Sequence, residues 1–349
     1  MTSVVFLGDV WLRKPRSATV PFLDPVILNL EAPITLRTVG YPGKINLRSD
    51  EPYFQSAFRG ETLAVCLANN HCMDFFGEGL TDTLTSLQLQ GVPSFGAGTL
   101  GQNVGNPLII DMGPVMLGLC GYVCSTAHPV FATTTGPGVK PIDPVEIARD
   151  IASARRKGAT KVVVYLHWGV EEVHLPRPED RELARAVVAA GADLVIGTHA
   201  HVLQPWERID GVWVFYGLGN FMFADIDGPG DYDTAGVPAR HIRKRWHRWN
   251  RRSIGVRYNV ATGEVEPLGF EDQGARVMAA TVQEVGGYEL RKANAHAYGR
   301  SFFWSHVYGM VRAKIGAFIA EPKRIRLRHF RALAAMIGEV IPGGPGRKG

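Results

Sequence analysis

Residues 191–207 read GADLVIGTHAHVLQPWE, and the order of residue types in this stretch decides the fold class. Leu194–Ile196 is a short apolar run without polar alternation, as expected of a strand buried on both faces. Gly191 stops an amphipathic helical stretch, Pro178–Ala190, just before it. His199 and His201 follow it just after. Helix, buried strand, then two histidines: the pattern predicts a parallel strand whose carboxyl end carries chemistry.

The same pattern repeats outward. Further strands are expected at Val4–Leu7, Val26–Leu30, Leu63–Ala68, Leu108–Asp111, Val115–Gly121, Val162–Leu166 and Val212–Tyr216. Helices are expected at Gly79–Gln90 and at Pro144–Lys157, where Asp143 is a cap and proline takes the first helical position. Strand–helix alternation of this kind argues for a layered α/β sandwich. No internal repeat is present.

Five of these strands end in an acid, a histidine or an amide. Asp9 follows the first run and Glu31 the second; Asn69, Asn70 and His71 follow Leu63–Ala68; His167 follows Val162–Leu166; His199 and His201 close the set. Singly, each is an ordinary turn, cap or structural residue. Together, at strand ends that share a crevice, they form one ligand set. Mn²⁺, Fe²⁺ and Zn²⁺ take this mixture of carboxylate, imidazole and amide oxygen. His199 and His201, two apart in an extended segment, are expected to point the same way, with Glu31 bridging two ions. Two ions about 3.5–4 Å apart can hold an in-line water and stabilise a leaving oxygen. His71 is left at the rim to protonate the leaving group, its ring oriented by Asp74 three residues on.

The segments FLGDV (6–10), NLEAPIT (29–35), LANNHCMDFFGEGLTDTL (67–84), YLHWGVEE (165–172), GADLVIGTHAHVLQPWE (191–207) and FYGLGNFMF (215–223) resemble CapA-type capsule-synthesis proteins. That family includes poly-γ-glutamate biosynthesis proteins and lies within the calcineurin-like metallophosphoesterases. The resemblance covers roughly residues 3–270. It implies a four-layer sandwich of two mixed sheets flanked by helices, and two divalent metal ions (Mn, Fe or Zn). By the same resemblance Asp9 and His201 serve the first metal, Glu31 bridges, and Asn70, His167 and His199 serve the second. His71 matches the proton donor. Asn69, Glu171 and Asn220 match site-lining, substrate-binding positions, and Arg48 in KINLRSDEP (44–52) resembles a basic position suited to clamping a substrate anion. One departure stands out: the superfamily's histidine two residues after the first aspartate is here Trp11.

The implied activity is a metal-dependent hydrolase acting on an anionic phosphoester or acyl group in capsule or exopolymer biosynthesis. Its rivals are an amide-forming or amide-cleaving enzyme on a glutamyl-type substrate, and a non-catalytic assembly factor for a membrane polymer synthase. Partners expected are an anionic small molecule or polymer.

Charge is unevenly placed. Residues 1–239 carry 17 Lys+Arg against 25 Asp+Glu, whereas residues 240–349 carry 21 against 8. A catalytic domain over 1–280 and a basic amphipathic helical extension over 281–349 are expected, the last residues from Pro342 disordered. Asp225–Gly236 reads as a Gly/Asp-rich loop. Arg240–Arg252, with Trp246 and Trp249, reads as a basic surface element suited to an anionic membrane face or a membrane synthase. No nucleic-acid motif accompanies the charge. No stretch reaches the roughly 20 apolar residues of a spanning helix, and no basic segment precedes Val4, so a cytoplasmic protein, peripheral to the inner membrane face, is expected. The four cysteines, Cys66, Cys72, Cys120 and Cys124, lack zinc-type pairing and are expected to be reduced.

Overall fold

A computed structural model describes residues 2–20, 24–58, 61–98, 104, 106–290 and 298–308. In chain order its strands begin with β1 (Ser3–Trp11), β2 (Ser17–Thr19), β3 (Val26–Leu30), β4 (Thr62–Cys66), β5 (Ser94–Phe95) and β6 (Ala97–Gly98). Then come β7 (Leu108–Asp111), β8 (Met116–Val123), β9 (Gly138–Val139), β10 (Lys161–His167), β11 (Leu194–Thr198), β12 (Trp206–Ile209) and β13 (Val212–Phe215). The last are β14 (Asn220–Phe223), β15 (Ile226–Tyr232), β16 (Pro238–Lys244), β17 (Arg252–Asn259), β18 (Val265–Asp272) and β19 (Arg276–Ala280). Helices α1 (Phe76–Leu89), α2 (Pro144–Arg156) and α3 (Pro178–Ala189) separate them, and residues 298–308 are also helical.

Two mixed sheets stack face to face. The first runs β2-β19-β18-β17-β1-β3-β4-β5, with β14 also paired to β1; the second runs β12-β13-β11-β10-β8-β7. In the first, β1, β3, β4 and β5 are parallel, and in the second β8, β10, β11 and β13 are. Side chains on a strand alternate between faces, and that alternation builds three apolar layers. Val4 and Phe6 of β1 turn inward with Ile27 and Cys66 to meet Leu119, Val163, Tyr165 and Ile196 of the second sheet. Val5 and Leu7 turn outward with Leu28 and Val65, where Leu80 and Leu87 of α1 cover them. Val162, Val164 and Val195 face the opposite way and are covered by Ile147 and Ile151 of α2 and Ala184 and Val187 of α3. The result is the four-layer sandwich, helix–sheet–sheet–helix.

The helices start where local chemistry starts them. Asp143 accepts from Val145 N at 2.8 Å and Glu146 N at 3.2 Å, with Pro144 at the first position. Asp180 reaches back to accept from Arg177 N at 3.0 Å at the head of α3. Tyr165 stitches the sheets together, its buried hydroxyl donating to Ile27 O at 3.1 Å.

One expectation needs correction, and a second gains detail. The 225–236 segment is no loop: Ile226–Tyr232 pairs antiparallel with Pro238–Lys244 as a hairpin. Its Gly, Pro and Asp content argues against a strand, and the partner strand overrides that preference. The 240–252 run is likewise split between β16 and a short 3-10 turn, Arg248–Arg251. Much of its charge is matched locally, Arg245 and Arg251 pairing with Asp225 at 3.1 and 2.9 Å.

Past Ala280 described residues still contact the body. Val285 joins the inter-sheet core, Leu290 N donates to Trp206 O at 2.7 Å, and Tyr298 donates to Pro176 O at 2.9 Å. The helical extension expected over 281–349 falls mostly, and the final residues from Pro342 wholly, outside the described residues. Among the described residues no helix is long and apolar enough to cross a membrane, and all four cysteines are free.

Candidate metal centre

Because β1, β3 and β4 run parallel, as do β10 and β11, the polar residues at their carboxyl ends gather at one end of the sandwich. Two donor clusters form there, Asp9–Glu31–His201 and Glu31–His167–His199, each with its ligand atoms within 4.8 Å of one another. Glu31 belongs to both. Its Oε1 lies 3.5 Å from His201 Nε2 and 3.6 Å from His167 Nε2, while Asn70 Oδ1 lies 2.9 Å from His167 Nε2. Ligands held 2.0–2.1 Å from one shared ion stand roughly 3–3.5 Å apart, so these spacings suit metal coordination.

The electrostatics point the same way. Both oxygens of Glu31 are buried without a hydrogen-bond partner, as is Nδ1 of His199. Burial and the adjacent Asp9 push the Glu31 carboxyl well above its usual range. Burial, with His199 alongside, drives His167 far below its own, and burial takes His199 down to about 4. Carboxylates that resist ionising beside imidazoles that resist protonation make a cluster short of positive charge. Divalent ions would reverse that balance.

Three of the donors, Asp9, His167 and His201, are oriented from behind. Asp9 Oδ1 accepts from Asn29 Nδ2 at 2.7 Å and its Oδ2 from His199 N at 3.1 Å. His201 Nδ1 is 2.8 Å from Asn220 Oδ1, and His167 Nδ1 is 2.9 Å from Thr198 Oγ1, which leaves each Nε2 for the cluster. Close approach also requires glycine: a Cβ on Gly8 would lie 2.0 Å from Gly219 O. His199 and His201 are not extended. They have φ of 89° and 55°, a left-handed conformation rare for residues with a side chain and typical of strained functional turns. Both rings still face the Glu31 side.

Above the clusters lies a cleft of about 210 Å³ lined by Lys44, Asn70, His71, Glu171, His201 and Lys244, among others. His71 stands in its wall with Nδ1 2.7 Å from Asp74 Oδ2. Burial lowers His71 from its ordinary value, with Asp74 opposing. Asp74 is buried and also receives Leu47 N at 2.6 Å and Lys44 Nζ at 2.7 Å. Glu171 is at the mouth; the cleft desolvates it, yet His201 and Lys244 hold its carboxyl down to about 2.

The remaining expected residues sit elsewhere. Asn69 is behind the site, tied to Asn29 Oδ1 at 3.1 Å and Leu30 O at 2.9 Å, with its own Oδ1 holding His71 N at 3.1 Å. Asn220 backs His201. Arg48 lines a neighbouring cavity with Arg13 and Tyr232, its guanidinium on the carbonyls of Leu36 and Arg37. In its place Lys44, unforeseen, lines the cleft. Trp11 packs edge-on against Phe223, with centroids 5.4 Å apart. Phe223 and Trp246 in turn flank His201 at 5.0 and 5.2 Å. Trp246, read from sequence as a surface anchor, is therefore buried in the site. Asn29 was the one missed residue with a visible signal, a lone amide inside the apolar strand VILNL.

Fold and site together define a four-layer α/β protein with a candidate divalent-metal centre at its parallel strand ends. Residues 13–225 match the model of the bacterial capsule synthesis protein family PGA_cap, and the chain belongs to that family. It is 38% identical over 240 residues to the PGA biosynthesis protein CapA of Bacillus subtilis (strain 168), covering 63% of each chain. It is 32% identical over 207 residues to the capsule biosynthesis protein CapA of Bacillus anthracis, covering 57% of this chain and 50% of that one. The chain thus spans between half and just under two thirds of these relatives. Among solved structures, the calcineurin-like phosphoesterase YfkN of Bacillus subtilis aligns at 12% identity with a TM-score of 0.38, over 90% of this chain and 98% of that one.

Proposed function

We propose that this protein is a metal-dependent hydrolase with a dinuclear centre, acting on an anionic phosphoester or acyl group in the making of a capsule-type polymer. The observation that carries the reading is Glu31: fully buried, without a hydrogen-bond partner on either oxygen, and common to both donor clusters. A buried carboxylate in that state is costly unless cations meet it. Asp9, Glu31 and His201 would hold one ion; Glu31, Asn70, His167 and His199 the other. The donor set suits Mn, Fe or Zn. Bound there, such ions supply Lewis acidity to a phosphoryl or carbonyl oxygen and make water a nucleophile near neutral pH.

The chain's own residues do the rest. His71 commits Nδ1 to Asp74, so Nε2 is the atom through which the ring would exchange a proton with the leaving group. Asp74 fixes the tautomer. Lys44 and Lys244 bring two cations to the cleft, and an ammonium there is able to meet an anionic substrate group.

A second reading, cleavage or formation of an amide on a glutamyl-type substrate, is favoured by the name of the Bacillus subtilis relative, a PGA biosynthesis protein. One assay separates the two. Metal-loaded protein is incubated with a generic phosphodiester and with a γ-glutamyl amide, and released phosphomonoester and amine are measured. Phosphomonoester without amine supports the phosphoester reading, and amine alone supports the amide. Neither product, with metal bound, turns the case toward an assembly role.

A further inference from the structure

The hairpin β15–β16 brings to the cleft a cation that lies beyond the residues matching the family. Lys244 ends β16 and lines the same cavity as His71, Glu171 and His201. Its ammonium sits 4.1 Å from the Trp246 ring centroid, and the Trp246 ring packs 5.2 Å from His201. The tryptophan thus ties the lysine's position to a donor of the metal centre.

The two lysines of the cleft differ in how their charge is used. Lys44 is committed: its Nζ donates to Asn70 O and pairs with Asp74 Oδ1 at 2.7 Å. Lys244 has Glu171 Oε2 at 3.8 Å and Glu172 Oε1 at 3.7 Å. Charge-assisted hydrogen bonds are made at about 2.7–2.9 Å, so these carboxylates attract the ammonium without bonding it directly. About a third of the Lys244 side chain and about half of the Glu171 side chain are exposed. An oxyanion entering the cleft can therefore displace solvent and take the short contacts that the two glutamates leave unmade.

We infer that Lys244 is a substrate-binding residue that grips an oxyanion, phosphoryl or carboxylate, on the substrate, exchanging Glu171 and Glu172 for it. This rests on the metal-centre reading above, since the reacting group must lie against the donor clusters for Lys244 to meet its anion. It gives the Gly/Pro-rich hairpin a task as the element that sets which anions enter.

The test uses the full chain loaded with Mn²⁺, with bound metal and thermal midpoint measured for every variant. Binding of inorganic phosphate and of glutarate is measured by titration calorimetry for wild type, Lys244→Met and Lys244→Arg. Loss of one charge-assisted contact should weaken binding of the recognised anion about ten- to hundred-fold in Lys244→Met. Lys244→Arg should stay near wild type, and metal content and midpoint should not change. An effect on phosphate alone identifies a phosphoryl group, and one on glutarate alone a carboxylate; either supports the proposal. Equal affinities in wild type and Lys244→Met, with metal bound, overturn it and leave the metal centre standing. A wild-type chain that takes up no metal overturns the metal-centre reading and this proposal with it.

Discussion

His71 Nδ1 lies 2.7 Å from Asp74 Oδ2, and the carboxylate is wholly buried. A ring nitrogen so bound has its proton placed for it, so the other nitrogen is the reactive one. On the proposed mechanism His71→Ala should lower kcat about 10²- to 10⁴-fold, and Asp74→Asn about 10- to 100-fold. Both should keep their metal, since neither residue is in a donor cluster. Steady-state kinetics beside elemental analysis check this; metal lost together with activity would assign both residues a structural part instead.

Asn29 should matter to metal affinity more than its distance from solvent suggests. It fixes Asp9 Oδ1 at 2.7 Å and receives Asn69 at 3.1 Å. Asn29→Leu keeps the volume and removes both bonds. Groups that orient a ligand typically contribute about 10- to 100-fold to metal affinity, so Mn²⁺ titration of this variant should show a loss of that order. Wild-type affinity in a folded Asn29→Leu protein would contradict the orienting role.

Gly8→Ala should be among the most destabilising single changes. The new Cβ would lie 2.0 Å from Gly219 O, and a backbone carbonyl that already accepts from Asp9 N cannot swing away as a side-chain tip can. A cost of about 3 kcal/mol is expected, read by urea denaturation. A midpoint within error of wild type would show that β1 and β14 separate freely.

Acid sensitivity should arise partly at Glu207. Arg181 grips its two oxygens at 2.9 and 2.7 Å, and Tyr216 donates to Oε1 at 2.6 Å. Burial alone would raise this carboxyl, but Arg181 and Tyr216 outweigh it and hold it below its usual value of 4.5. A depressed carboxylate adds stability above its unfolded value and loses it as pH falls through the folded one. Between neutral pH and pH 4.5 the wild type should keep this advantage over Glu207→Gln, and below that the two should converge. Parallel thermal melts across the range would deny the pair a role in acid stability.

How much of this was legible in sequence follows from what kind of force placed each part. The eight strands expected before residue 217 and the three helices expected before residue 191 are present because apolar runs, caps and glycine stops act locally. The convergence of Asp9, Glu31, Asn70, His167, His199 and His201 was legible because parallel strands put their carboxyl ends on one side. The left-handed turn at His199 and His201 was not, since the segment reads as a strand continuation and only packing imposes φ of 89° and 55°. The hairpin β15–β16 was hidden by its own Gly and Pro content, and Trp246 by the charges around it. Lys44 and Lys244 look like any surface lysine until the fold brings them to one cleft.

The most direct test is metal content. The wild-type chain and its Glu31→Ala and Glu31→Gln variants are purified without chelator, checked for folding by circular dichroism, and submitted to elemental analysis. The account predicts about two Mn, Fe or Zn ions per wild-type chain, and loss of at least one in both folded variants, because one carboxylate serves both positions. A wild-type chain without metal even after Mn²⁺ is supplied, or full occupancy in Glu31→Ala, would contradict it.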